Sequence, residues 1–304
     1  MSSSIKLPKI FLDAGDPDET KKAKGLVGHI DGQTTNPTLV ARHPEAQKYI
    51  DSGKKFTHSE LLKFYKEVIV EIEREIAGPI SIEVEANWDT KAADMLKQAT
   101  EMATWARNAY IKFPTIPEGI KAAHEFVATG GRVNMTLVFD QVQSAAVYVA
   151  LRAANAKRED KENLPPHFLS PFLGRYDDRG VMGLDIIKNI IKMYKGFNGT
   201  LHTNDHPVQI LASSIRTLDH FYGAIFLGAD AITTPLSVIR AWVQDESWIP
   251  DGTYRIENNG LKSIVYDEVK LRNNFEDYPI ERVEGSLLDD GVTRFAKDWQ
   301  SLLK

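Results

Sequence analysis

The chain of 304 residues contains no cysteine. That excludes disulfides, thiolate nucleophiles, Cys-ligated zinc and Cys-ligated iron–sulfur clusters. It also lacks an excess of basic charge: 37 lysines and arginines stand against 42 aspartates and glutamates, a formal net charge of −5. Such a balance gives no electrostatic footprint for nucleic acid or an anionic membrane surface. No apolar run approaches the ~18 residues that a spanning helix needs. Residues 1–6 show no apolar core of a secretory signal. The expectation is a cytoplasmic protein with neither nucleic-acid nor membrane partners. No Gly-x-Gly-x-x-Gly follows a strand pattern, so a dinucleotide-binding sheet has no signature here.

What is present is an ordinary globular mixture, 42% apolar and 26% charged, with length enough to bury a large core. Short apolar runs alternate with longer amphipathic ones. The strand candidates are residues 9–13, 29–35, 80–86, 109–114, 133–139, 167–173, 208–214 and 231–234. Helical patterns fall between them at 17–27, 59–76, 89–107, 117–129, 141–154, 181–194 and 217–227. In the second of these, Leu61, Leu62, Phe64, Tyr65, Val68, Ile69 and Ile72 follow the 3.6-residue period of an amphipathic helix. Asp16, Ser59, Asp89 and Asp140 are the expected N-caps.

Eight strands alternating with helices predict parallel β/α units, and the count of eight favours a closed (β/α)₈ TIM barrel over an open sheet. No linker interrupts the alternation, so residues 1–304 read as one barrel domain. Residues 236–304 read as a C-terminal extension, largely helical, packing on that barrel. Residues 41–55 and 157–166 look added to the basic pattern.

The polar residues of the strand patterns concentrate late in most strands, where a β/α barrel gathers its active site. Lys112 is the most informative of them, a single charge inside Tyr110-Ile111-Lys112-Phe113-Pro114. An amine pointing into a barrel is easily made neutral by desolvation, and a neutral amine attacks carbonyl carbon. Asp13, Glu83, Asn134, Thr136, Ser170, Ser214 and Arg216 occupy comparable positions, and Asn36 follows the second strand. Each also has a structural reading. Asp13 could shape a turn, and Asn36 before Pro37 could start a helix. Glu83 could alternate outward on an exposed strand, Arg175 and Arg216 could be surface ion-pairing groups, and Lys112 could snorkel. His202 and His206 have a metal-like spacing, but the Asn, Asp and Pro around them mark a loop, so no metal site is expected.

Taken together, the motifs resemble a known family. Asp31-Gly32-Gln33-Thr34-Thr35-Asn36-Pro37-Thr38-Leu39 resembles the transaldolase signature T-T-N-P-S/T-L. Ile111-Lys112-Phe113-Pro114-Thr115 with Glu118-Gly119 resembles the Schiff-base lysine motif, and Asn134-Met135-Thr136-Leu137 its companion strand. Ser170-Pro171-Phe172-Leu173-Gly174-Arg175 and Ala212-Ser213-Ser214-Ile215-Arg216 look like the later motifs, and Asp298-Trp299-Gln300 like the close of short members.

The resemblance implies a (β/α)₈ class I transferase that needs no cofactor and acts on sugar phosphates. Lys112 would form the imine, Asp13 would be the acid/base, and Glu83 and Thr136 would hold a proton-shuttling water. Asn36, Asn134 and Ser170 would bind the hydroxyls of the dihydroxyacetone fragment. Arg175, Ser214 and Arg216 would take the phosphate. Related fructose-6-phosphate aldolases tend to carry tyrosine in place of Phe172 and glutamine in place of Glu83, so both positions look transaldolase-like. The chain is longer than the short family members, which leaves its subfamily open.

The expected activity is transfer of dihydroxyacetone from a ketose phosphate such as fructose 6-phosphate to an aldose phosphate. The alternatives are an aldolase, an enzyme for sulfonated or otherwise modified sugars, and a non-catalytic sugar-phosphate-binding barrel. Homo-oligomer formation is left open by the sequence.

Overall fold

The computed structural model describes residues 6–160, 166–201 and 207–304. Eight strands close into one barrel in sequence order: β1 Lys9–Asp13, β2 Gly32–Thr34, β3 Ile80–Glu83, β4 Ala109–Pro114, β5 Val133–Val138, β6 His167–Pro171, β7 Val208–Ala212 and β8 Ala231–Thr234. Every pairing is parallel, and β8 closes on β1 with Lys9 opposite Ala231 and Leu12 opposite Thr234. The expected (β/α)₈ barrel is therefore the observed one. Most strands end sooner than their apolar runs, because ladder pairing stops where the chain turns into the mouth.

The period-2 geometry of each strand explains why both barrel surfaces are filled. Outward residues such as Leu12, Ile82, Ile111, Phe113, Met135, Leu169, Ile210 and Ile232 join the main core beneath the helices. The other face changes character along its length. Low in the barrel, Phe11, Tyr110, Phe168, Leu211 and Ala231 form a small apolar cluster of their own. Two residues further along the same faces come Asp13, Lys112, Ser170, Ser213 and Thr233. Gly32 belongs to the apolar level, where an added Cβ would lie 2.7 Å from the Phe11 ring. A packed apolar floor thus supports a polar layer at the C-terminal ends of the strands.

Helices cover the outside. The helix His58–Glu75 buries Leu61, Tyr65, Val68, Ile69 and Ile72, the stripe its period predicts. Its N-cap is Thr57 rather than Ser59, because Thr57 and Glu60 form a reciprocal capping box. Asp89 likewise caps nothing helical: the helix Ala92–Met102 begins after Lys91 with no side-chain cap. Asp16 and Asp140 do cap their helices. Residues 41–55 contain a further helix, Pro44–Asp51. Residues 161–165 of the charged excursion, and His202 and His206, lie outside the described residues.

After β8 come a helix Leu236–Gln244, an irregular stretch to residue 286 that is longer than the sequence suggests, and a closing helix Leu287–Leu302. The closing helix lies at the barrel mouth. Leu288, Val292 and Phe295 pack against Ile116, Leu137 and Phe139. The Thr38 hydroxyl donates to the Asp298 carboxylate, and Phe56 and Leu303 form an isolated β-bridge. No helix among the described residues is long and apolar enough to cross a membrane.

Candidate active site

Three neighbouring strands bring the central groups into line. Glu83 of β3 pairs in register with Lys112 of β4, and Lys112 with Asn134 of β5. Lys112 is 4% exposed and Glu83 3%, so the exposed-strand reading of Glu83 fails. The Lys112 Nζ lies 2.7 Å from Glu83 Oε2, an ion pair rather than a well-aligned hydrogen bond, and donates to the Thr35 carbonyl at 3.1 Å. Burial pushes the Glu83 carboxyl up, while the ammonium beside it pulls the other way.

Behind this pair stands a residue that the sequence reading did not single out. The Tyr65 hydroxyl accepts from the Glu83 backbone N–H at 3.1 Å and shares a 2.6 Å hydrogen bond with Thr35 Oγ1. Tyr65 thereby braces both partners of Lys112, and burial holds its phenol well above the ordinary value. In the sequence it looked like one more apolar position of an amphipathic helix.

Asp13 is half-buried at the end of β1, where Oδ1 accepts from Thr34 Oγ1 at 2.7 Å. Burial pushes its carboxyl up, and the Thr34 hydroxyl, Lys112 and Arg42 oppose that rise. Asn134 is fully buried, donating to Ser81 Oγ at 3.1 Å and accepting from Ser170 Oγ at 2.7 Å. Thr136 Oγ1 and Glu83 Oε2 are buried polar atoms without a hydrogen-bond partner among the described residues.

A cavity of about 290 Å³ opens over this layer. Of the residues singled out from the sequence, Asp13, Asn36, Lys112, Thr136, Ser170, Phe172, Arg175, Ser214 and Arg216 line it. Glu83 and Asn134 do not face it; they sit in its wall, against Lys112 and Ser170. Asn36 combines two roles. Its Oδ1 caps the helix Pro37–Ala41 through the Leu39 N–H at 2.9 Å, which leaves its amide nitrogen available at the cavity.

The mouth is cationic. The Arg175 guanidinium lies 5.9 Å from the Phe172 ring and 5.8 Å from the Phe295 ring. Its burial, together with the charges of Arg294 and Arg216, draws its proton affinity below the ordinary value. Arg216 pairs with Asp178, as an ordinary surface arginine would, while still lining the cavity. Ser214 adopts a left-handed φ of 57°, a conformation that a non-glycine residue holds only where its surroundings enforce it. Gly174 makes the close approach of these segments possible: a Cβ there would lie 2.4 Å from Arg216 Nε and 2.7 Å from the Ser214 carbonyl.

Arg42, Arg294 and Phe295 also line the cavity and were missed. Nothing local distinguishes an arginine aimed at a cavity from one on a solvated helix face.

The family model described as Transaldolase/Fructose-6-phosphate aldolase matches residues 10–304. The chain belongs to the transaldolase/fructose-6-phosphate aldolase family. A protein of Leptospira biflexa named "Probable transaldolase" is 36% identical over 262 residues, covering 86% of this chain and 98% of that protein. One of the same name from Brucella anthropi is 32% identical, over 86% of this chain and 97% of its own. Another from Chlorobium limicola is 33% identical, over 76% and 89% respectively. Membership of the transaldolase/fructose-6-phosphate aldolase family thus extends through the closing helix that carries Arg294 and Phe295 to the cavity.

Proposed function

We propose that the chain transfers a dihydroxyacetone unit between sugar phosphates through an imine on Lys112. The observation that carries this reading is the joint placement of Lys112 and Asp13 on one cavity, at the polar ends of barrel strands. Lys112 Nζ passes a proton to the adjacent Glu83 carboxylate and, as the neutral amine, adds to the ketose C2 carbonyl, and loss of water leaves the imine. The protonated imine is an electron sink, so breaking C3–C4 gives an enamine rather than a free carbanion. Asp13 takes the proton of the C4 hydroxyl as that bond breaks, and a carboxyl pushed up by burial suits this work. Glu83, whose carboxylate is ion-paired with Lys112, and Thr136, whose buried hydroxyl has no hydrogen-bond partner among the described residues, hold the water that carries protons during imine formation. Asn36 and Ser170, the latter oriented by Asn134, bind the fragment's hydroxyls. Arg175, Ser214 and Arg216 receive the phosphate, to which guanidinium forks are matched.

Phe172 supports transfer over simple cleavage. A hydroxyl at that position would help protonate the enamine and release free dihydroxyacetone, and a phenyl ring cannot. The bound fragment then waits for an acceptor aldose. The reading is tested by borohydride reduction with fructose 6-phosphate followed by peptide mass analysis. A three-carbon adduct on Lys112 is expected, and an adduct on a different lysine overturns the assignment. Efficient release of dihydroxyacetone with no acceptor aldose present would replace transfer with cleavage.

Gly174→Ala tests the phosphate end without touching the chemistry. The added methyl must displace Arg216 or the Ser214 backbone. Losing one guanidinium contact predicts a rise in KM for the sugar phosphate of about tenfold, with kcat little changed. Unaltered KM in steady-state kinetics would remove Arg216 from the binding site.

A further inference from the structure

The cavity gathers more positive charge than one arginine pair. Arg175, Arg216 and Arg294 all line it, in a chain whose net charge is negative. They sit close together. Arg175 lies against the Phe295 ring, the residue after Arg294, and Gly174 brings Arg216 alongside. Asp178 feels all three guanidiniums, and Arg216 is its ion-pair partner. Asp290, the other carboxylate near Arg175, is paired with Arg179. Among the described residues Arg175 and Arg294 have no carboxylate partner. Three guanidiniums against the single carboxylate of Asp178 leave two positive charges uncompensated.

We propose that Arg294, carried to the mouth by the closing helix, makes this end of the cavity selective for a dianionic phosphate monoester over a monoanionic sulfonate. The inference rests on the reading that this end takes the anionic terminus of the sugar. A phosphate dianion neutralises both free guanidiniums and offers each a pair of oxygens. A sulfonate neutralises one and leaves the other, exposed to solvent, without an anionic partner. Arg294 is exposed and makes no ion pair within the described residues, so replacing it disturbs no packing.

The test is calorimetric titration of the intact protein with methyl phosphate and with methanesulfonate, in buffer alkaline enough that the phosphate is dianionic. The wild type is expected to bind methyl phosphate tighter by about tenfold, the worth of one charge-assisted contact. Arg294→Gln should weaken methyl phosphate by about the same factor and leave methanesulfonate nearly unchanged, closing the gap. Arg294→Lys should keep most of the preference. Equal weakening of both anions, no weakening of either, or a wild type without preference would each overturn the proposal. The titration needs no turnover. Its failure leaves the Lys112 imine standing, and failure to trap a Lys112 adduct leaves the anion preference standing.

Discussion

Lys112→Met is expected to lower transferase activity by about ten-thousand-fold or more, because the covalent step disappears and general acid–base groups alone supply about 10²–10⁴. Reduction with borohydride in the presence of fructose 6-phosphate should then leave no three-carbon adduct at this position. The same substitution should destabilise the fold. It removes one partner of a buried pair whose other member, Glu83, is 3% exposed. Breaking such a pair costs up to about 3–5 kcal/mol. The sign of its pH dependence follows from the carboxyl. Glu83 is pushed above its ordinary 4.5 by burial, and Lys112 opposes that rise, so removing the ammonium pushes it further. The folded variant therefore binds a proton more tightly than its unfolded chain. The stability associated with that proton is fully present below 4.5 and is lost as pH rises through the folded value. Denaturant unfolding of Lys112→Met should show a deficit that grows from acid to neutral buffer. Adding Glu83→Gln should recover much of it without restoring activity. A single variant that still turns over at near wild-type rate would remove Lys112 from the mechanism.

Asp13→Asn is expected to cost about 10²–10⁴-fold in kcat, the range for loss of a positioned general base. The amide keeps the shape and still accepts the Thr34 hydroxyl hydrogen bond, so the loss is chemical rather than structural. Stability should move the other way. Burial dominates the shift of Asp13, holding its carboxyl above 3.8 despite the opposing Thr34 hydroxyl, Lys112 and Arg42. The protonated form is thus favoured in the fold. Its contribution is complete below 3.8 and lost as pH rises through the folded value. Above the folded value the wild type carries an incompletely solvated carboxylate, which the amide does not. Thermal unfolding should find Asp13→Asn at least as stable as the wild type in neutral buffer, with the advantage vanishing in acid. A variant both fully active and less stable in neutral buffer would mean that Asp13 is a structural turn residue after all.

Particular residues mark how far the sequence could be read. Lys112, Asp13 and Ser170 were legible because a strand's alternation is local: a polar group two residues past a buried aromatic shares its face, and by the same alternation Thr136 shares a face with Asn134. Asn36 was legible as a helix start, and the structure gives it that cap while also setting it at the cavity. The caps at Ser59 and Asp89 were misread because Thr57 with Glu60 offers a better reciprocal pair, and the later helix begins after Lys91. Tyr65 was legible only as core. Its hydroxyl acquires meaning from Thr35 and Glu83, which meet it across strands.

The sequence by itself determined the eight alternating units, the polar residues gathered late in most strands, and the family, since each rests on short-range periodicity or contiguous motifs. Tertiary structure alone decided which groups touch. It set Glu83 beside Lys112, placed Asn134 in the wall behind Ser170, and returned a helix more than a hundred residues past Arg175 to lay Arg294 and Phe295 at the mouth. Those pairings depend on barrel closure and on where the closing helix buries its apolar stripe, and neither is written in the local pattern of the chain.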